Sequence, residues 1–202
     1  MSAKPVFAVF ASGSGSNFQA IAEAVQNGKL TGSLVLLVTD KPEAYAIKRA
    51  ESLGIEVCAH NPKTFDSKAD YESAILERLH EKEVEWLVLA GYMRLIGEVL
   101  LKAYPNRIVN IHPSLLPAFP GKDAVGQALA YGVKVTGVTV HFVDEGMDTG
   151  PVISQQAFHL AEGMDRAKVE QTIHDIEHQL YPDTLNQLFA ESLEEIRCQN
   201  AR

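Results

Sequence analysis

The feature that most constrains this chain is its opening. A short apolar run over residues 5–11 is broken by Ser12-Gly13-Ser14-Gly15-Ser16-Asn17, and Phe18, Ile21, Ala22 and Val25 then recur at helical spacing up to Gly28. A stretch of strand length thus hands over, through small residues, to an amphipathic helix. The same alternation continues: residues 33–39 read as a second strand, 42–53 as a helix closed by Gly54, and 55–59 as a third strand. Residues 67–83 form a helix with Tyr71, Ile75, Leu76 and Leu79 on one stripe. Trp86-Leu87-Val88-Leu89-Ala90 is apolar at every position, which suits a strand covered on both faces and so a parallel sheet. A helix over 95–103 and a strand over 107–112 complete five strand units.

The pattern then changes. Residues 113–121 hold three prolines and end in glycine, a short helix over 124–130 stops at Gly132, and residues 135–144 alternate like a half-buried strand. A turn-rich stretch over 146–151 leads to a strand over 152–158, so the far edge of the sheet is expected to be antiparallel. Near the C-terminus Val169, Ile173, Ile176 and Leu180 form one stripe; beyond Tyr181-Pro182, Leu185, Leu188, Phe189, Leu193 and Ile196 form another, which predicts two packed helices. The expectation is an α/β chain with an open, mostly parallel, Rossmann-like sheet, helices on both faces and an antiparallel edge. At 202 residues, with no repeat or linker, it forms a single domain.

Composition narrows the partners. A formal charge of −8 lacks the basic footprint that nucleic-acid backbones require, and it disfavours anionic membranes. Anionic ligands must therefore be met locally, by helix N-termini and single cations. Cys58 and Cys198, without CxxC spacing, suit two reduced thiols. The N-terminal apolar run is too short for a secretory signal and no run reaches membrane-spanning length, so a cytoplasmic protein is expected.

Three places carry chemistry. Gly13-Ser14-Gly15-Ser16-Asn17 sits where strand becomes helix, so free backbone N–H groups can surround a phosphate. Phe18 stands where a dinucleotide fingerprint wants its third glycine, which disfavours a nicotinamide cofactor. Asn110 and His112, two apart at the carboxyl end of a strand, share a face and could stabilise an oxyanion and manage a proton. Asp148, on a glycine-bounded loop between two strands, could swing toward His112. His174-Asp175-Ile176-Glu177-His178 matches the H-x-x-E-H pattern of inverted zinc peptidases, but without an evident distant ligand a solvated helical face is favoured. Ser114 lacks a nucleophile elbow and reads as loop structure, and His141 reads first as a sheet histidine.

Together, Ser12 to Asn17, Leu89-Ala90-Gly91-Tyr92-Met93-Arg94, Asn110-Ile111-His112-Pro113-Ser114-Leu115-Leu116-Pro117 and Asp144 to Pro151 resemble, in order, the signature blocks of the phosphoribosylglycinamide formyltransferases. The resemblance extends to Glu177-His178-Gln179-Leu180-Tyr181-Pro182. The Asn-x-His-Pro block and later Asp are shared with methionyl-tRNA formyltransferases and formyltetrahydrofolate deformylases, but the phosphate-suited loop and the chain length favour the first group. It implies transfer of a formyl group from 10-formyltetrahydrofolate to the amine of glycinamide ribonucleotide in purine biosynthesis, without a metal, by a monomer or homodimer. A deformylase and a non-catalytic phosphate-binding module are the alternatives.

The resemblance further implies Asn110, His112 and Asp148 as catalytic residues, and Gly15, Ser16, Asn17 and Glu177 as the phosphate and ribose contacts. Met93, Arg94, Leu95 and Ile96, with Asn110, Asp144, Glu145, Gly146, Met147 and Asp148, would hold the folate. Lys68 with Arg94 would face its glutamate tail. Phosphate binding would then fall in about residues 1–105, and folate binding and catalysis in about 106–202. Gly121-Lys122-Asp123-Ala124 departs from members that carry a histidine-containing loop there.

Overall fold

In a computed structural model the backbone is described for residues 4–200 and the side chains for residues 4–194. The elements follow in the order β1 (Val6–Phe10), α1 (Ser16–Gln26), β2 (Ser33–Thr39), α2 (Tyr45–Ser52), β3 (Glu56–Ala59), a 3-10 turn (Pro62–Thr64), α3 (Lys68–Glu81) and β4 (Trp86–Leu89). Then come α4 (Glu98–Ala103), β5 (Ile108–His112), α5 (Ala124–Tyr131), β6 (Val135–Phe142), β7 (Val152–His159) and α6 (Arg166–Asn200). They build a seven-stranded sheet in the order β3-β2-β1-β4-β5-β6-β7. The first five strands are parallel, while β6 and β7 are antiparallel to their neighbours, as the change of pattern after residue 113 predicts.

Alternation along the strands divides the core in two. Phe7, Val9, Trp86, Val88, Val109, Ile111, Val138 and Val140 face the side covered by α1, α2, α5 and α6. Ala8, Phe10, Leu36, Val38, Leu87, Leu89 and Ile108 face α3 and α4. The β4 run is buried at every position because helices lie on both sides of it.

Two expectations need correction. The last two apolar stripes belong to one 35-residue helix that runs through Pro182. Proline removes one backbone hydrogen bond, but Tyr181 beside it is fully buried and its hydroxyl reaches the carbonyls of Leu89 at 2.9 Å and Val109 at 3.0 Å. Val169, Ile173 and Ile176 before the proline and Leu185, Leu188 and Phe189 after it all enter the same core cluster, so a chain reversal would withdraw one stripe from the sheet. The side chains of Ile196 and Cys198 lie outside those described. The second correction is α4, which begins at Glu98 and not near residue 95. Gly97 caps it in an extended conformation, leaving residues 91–97 irregular. Among the described residues no helix is long and apolar enough to cross a membrane.

The chain order reverses between β1 and β4: β2 and β3 lie to one side of this pair, β5 to β7 to the other. In open α/β sheets ligands gather outside the carboxyl ends of the strands at such a switch point. The loops after β1, β4 and β5 converge there.

Candidate active site

A cleft of about 540 Å³ opens along these strand ends. One end is formed by the loop after β1. Gly15 adopts φ 72°, a left-handed conformation that glycine tolerates, and a Cβ there would stand 2.7 Å from the Cβ of Ala46. It caps α1 without a side-chain hydrogen bond, so the first-turn N–H groups of that helix remain open to a ligand, and that turn itself carries no acidic residue. Arg49 braces the loop from behind by donating through Nε to the Ser14 carbonyl at 2.8 Å.

The far helix closes this end. Glu177 of α6 is buried, and its Oε2 accepts from Asn17 Nδ2 at 2.9 Å and from His174 Nδ1 at 3.0 Å. The hydrogen bond to Glu177 raises the pKa of His174 against the opposing effect of burial. His174 and Glu177 line the cleft, whereas His178 faces a separate small cavity beside Glu23 and Asn27. The H-x-x-E-H residues are thus divided between two cavities, with Glu177 and His174 joined to the loop after β1 through Asn17.

Ser12 joins this loop to the next. Its Oγ donates to Asp40 Oδ1 at 2.5 Å and accepts from the Met93 N–H at 2.9 Å, while its own N–H donates to the Gly91 carbonyl at 3.1 Å. Met93, Arg94, Leu95 and Ile96 then run along the cleft, Met93 and Leu95 exposing large apolar surface. Arg94 lies over the ring of Tyr71 at 5.4 Å.

At the other end the register of β5 and β6 assembles the titratable groups. Asn110 pairs with His141 and His112 with Thr139, and all four side chains lie opposite the face carrying Val109, Ile111, Val138 and Val140. Asn110 Nδ2 lies 3.2 Å from His141 Nε2, and His141 Nδ1 lies 2.8 Å from the Phe142 carbonyl. Since a carbonyl only accepts, Nδ1 of His141 carries a proton, and Nε2 faces both Asn110 and Asp148. Asp148, at φ 57°, sits over this group: its Oδ2 is 3.4 Å from His112 Nδ1 and its Oδ1 is 3.6 Å from His141 Nε2. Oδ2 also accepts the Gly121 N–H at 2.7 Å. Burial works to raise the pKa of Asp148, but the hydrogen bonds from His141 and Gly121 and the charges of the two histidines hold it below the ordinary carboxylate range. His112 Nε2 lies 2.9 Å from the Phe119 carbonyl, so both ring nitrogens face acceptors and only an imidazolium donates at each.

The loop after β5 that supplies Phe119 and Gly121 is itself anchored. Thr139 Oγ1 donates to the Ser114 carbonyl at 2.7 Å and accepts from the Leu116 N–H at 3.0 Å, and Ser114 Oγ donates to the Ala118 carbonyl at 2.6 Å. Ser114 is therefore loop structure. Asp144 Oδ1 accepts from the Gly146 N–H at 3.0 Å and the Thr149 hydroxyl at 2.6 Å, which shapes the loop bearing Asp148.

A sequence profile described as Formyl transferase matches residues 6–185. Over 182 residues the chain is 56% identical to the phosphoribosylglycinamide formyltransferase of Bacillus subtilis (strain 168), covering 90% of this chain and 93% of the relative. The chain belongs to the phosphoribosylglycinamide formyltransferases, within the formyl transferase family. The solved glycinamide ribonucleotide transformylase 1 of Geobacillus kaustophilus superposes with a TM-score of 0.90 at 54% identity, covering 92% of this chain and 99% of that one. The corresponding structure from Symbiobacterium toebii gives 0.91 at 41% identity over 93% and 89%. The seven-stranded, mostly parallel sheet with its antiparallel edge is thus the formyltransferase fold.

Of the residues singled out in this formyltransferase from sequence, Gly15, Ser16, Asn17, Met93, Arg94, Leu95, Ile96, Asn110, His112, Asp144, Gly146, Met147, Asp148 and Glu177 share the cleft. Glu145 and Lys68 stand outside its lining; Lys68 Nζ lies 3.9 Å from Glu72 Oε1. His141 carries more weight than a sheet histidine, because β6 sets it directly beside Asn110 and within reach of Asp148. The signal was available: an antiparallel edge strand with Thr139 and His141 two apart can place both on the face that carries Asn110 and His112.

Proposed function

We propose that this enzyme transfers the formyl group of 10-formyltetrahydrofolate to the amine of N1-(5-phospho-D-ribosyl)glycinamide, in de novo purine biosynthesis. The observation that carries this is a single cleft with an open helix N-terminus at one end, a carboxylate–imidazole–carboxamide group at the other, and an apolar backbone segment between. The substrate phosphate sits on the N–H groups of Gly15, Ser16 and Asn17, and the ribose hydroxyls donate to Glu177. The folate head lies against Met93 to Ile96 and the 144–148 loop, its tail directed past Arg94 toward Lys68.

The amine nitrogen attacks the formyl carbon, and a C–N bond forms as the carbonyl oxygen becomes an alkoxide. Asn110 Nδ2 donates to that oxygen, and the imidazolium of His112, held between Asp148 and the Phe119 carbonyl, supplies the compensating charge. Asp148, directly or through a water, takes a proton from the newly bonded nitrogen, now an ammonium, and passes it to N10 of the folate. The C–N10 bond then breaks, releasing the formylated ribonucleotide and tetrahydrofolate. Every group in this scheme belongs to the chain and no metal is needed. The whole of residues 1–202 acts as one unit, cytoplasmic, as monomer or homodimer.

Absorbance-monitored conversion of 10-formyltetrahydrofolate, with and without glycinamide ribonucleotide, tests the proposal. Turnover that requires the amine and yields tetrahydrofolate supports transfer. Formate release without the amine would instead make water the acceptor, and binding without turnover would make the protein a ligand-binding module.

A further inference from the structure

Residues 91–97 have no regular secondary structure, although residues 91–96 line the cleft, so something else must set their path. Ser12 holds the near end through the Met93 N–H. The far end is held by Glu72 of α3, a residue only 3% exposed, whose Oε1 accepts the Gly97 N–H at 2.6 Å. Its neighbours Tyr71, Ile75 and Leu79 all enter the core on that side of the sheet. A carboxylate there is costly unless it is hydrogen-bonded, and an apolar residue of similar volume would serve packing at least as well. Among the described residues the one cation within ion-pair distance is the half-exposed Lys68. Gly97 matches this arrangement: a Cβ there would lie 2.7 Å from both Glu72 carboxylate oxygens.

We propose that Glu72 is a positioning residue for the folate co-substrate, its carboxylate fixing Gly97 and through it the backbone of residues 93–96 in the conformation that receives the pterin head. The inference rests on the folate assignment of the cleft. It predicts a defect confined to one of the two substrates, since Glu72 reaches the 91–97 segment from α3 while the phosphate loop is braced by Arg49 and Glu177.

The test is calorimetric binding of tetrahydrofolate and, separately, of glycinamide ribonucleotide to the wild type, Glu72→Gln, Glu72→Met and Gly97→Ala. Glutamine keeps an oxygen acceptor for the Gly97 N–H, methionine keeps only the volume, and Gly97→Ala displaces the carboxylate, and with it the stem of Lys68, without altering residue 72. The expected result is a Kd for tetrahydrofolate about tenfold higher in Glu72→Met and Gly97→Ala, the order that follows from losing a hydrogen bond to a charged group. Glu72→Gln should stay within about threefold, and the ribonucleotide Kd should hold within about twofold throughout. Wild-type affinity for tetrahydrofolate in both disrupted variants, or equal losses for both ligands, would overturn the role of Glu72. A wild type that fails to bind tetrahydrofolate would overturn the folate assignment itself. Should Glu72→Met not fold, Gly97→Ala decides against Lys68→Ala, which removes only the other side chain that the new Cβ would crowd: a loss in Gly97→Ala beyond that in Lys68→Ala supports the role of Glu72, and an equal loss overturns it.

Discussion

The two ends of the cleft are built by different means. The end proposed to hold the phosphate relies on backbone N–H groups, one glycine in a left-handed conformation and the N-terminus of α1, with a single carboxylate brought from α6. The end proposed for catalysis relies on side chains whose spacing is set by strand register, with Asn110 and His112 on β5 facing His141 and Thr139 on β6 under Asp148. The first kind of site fails when the chain path is altered, the second when one functional group is replaced on an unchanged path. Substitutions at the two ends should therefore leave different signatures.

The largest effect is expected at Asp148→Asn, which preserves shape but removes the charge between two histidines. Turnover should fall at least about a hundredfold, the scale of a lost general acid–base, with both substrates still bound. The same variant sharpens the electrostatic side. Because the folded pKa of Asp148 is lowered, its ionisation stabilises the fold at pH values above the unfolded carboxylate pKa, and that contribution disappears as pH falls through the lower folded value. Urea unfolding across the acid range should show this limb in the wild type and a weaker dependence in Asp148→Asn.

Next comes Gly15→Ala. The left-handed conformation costs a side chain about 1–2 kcal/mol, and the 2.7 Å approach to Ala46 adds to it. Thermal unfolding should register the loss, and KM for the ribonucleotide should rise while KM for the folate changes little. Equal effects on both substrates would break the contrast between the two ends. Tyr181→Phe should cost about 1–2 kcal/mol of stability, since its buried hydroxyl serves the sheet and neither ligand. The smallest effect is expected at Arg166→Ala on the rim, where solvent-screened pairs with Asp123 and Glu170 contribute little, so the thermal unfolding midpoint should stay close to that of the wild type.

What the sequence makes legible follows the same divide. Strands β1, β2 and β4 are visible as apolar runs because helices cover both faces, and the antiparallel edge shows in the alternation of β6. The phosphate loop is visible because it is contiguous. Asn110 and His112 share a strand face by simple period, and Asp148 is placed by a short loop between adjacent strands. Less legible are features that depend on how distant elements meet. Glu177 reaches Asn17 across 160 positions, and Glu72 reads as one more polar residue on a helix until Gly97 is seen against it. Pro182 reads as a helix boundary because local rules count the lost hydrogen bond but not Tyr181, which anchors the helix to the sheet on either side of that break.

The most direct test of the account measures turnover and binding together in His112→Ala. The account predicts that both substrates bind within about threefold of the wild type, while single-turnover formyl transfer falls by about two to three orders of magnitude, as expected when transition-state charge stabilisation is removed from an intact cleft. Formyl transfer at near wild-type rates, or loss of substrate binding in step with loss of turnover, would contradict the placement of the reaction at Asn110, His112 and Asp148.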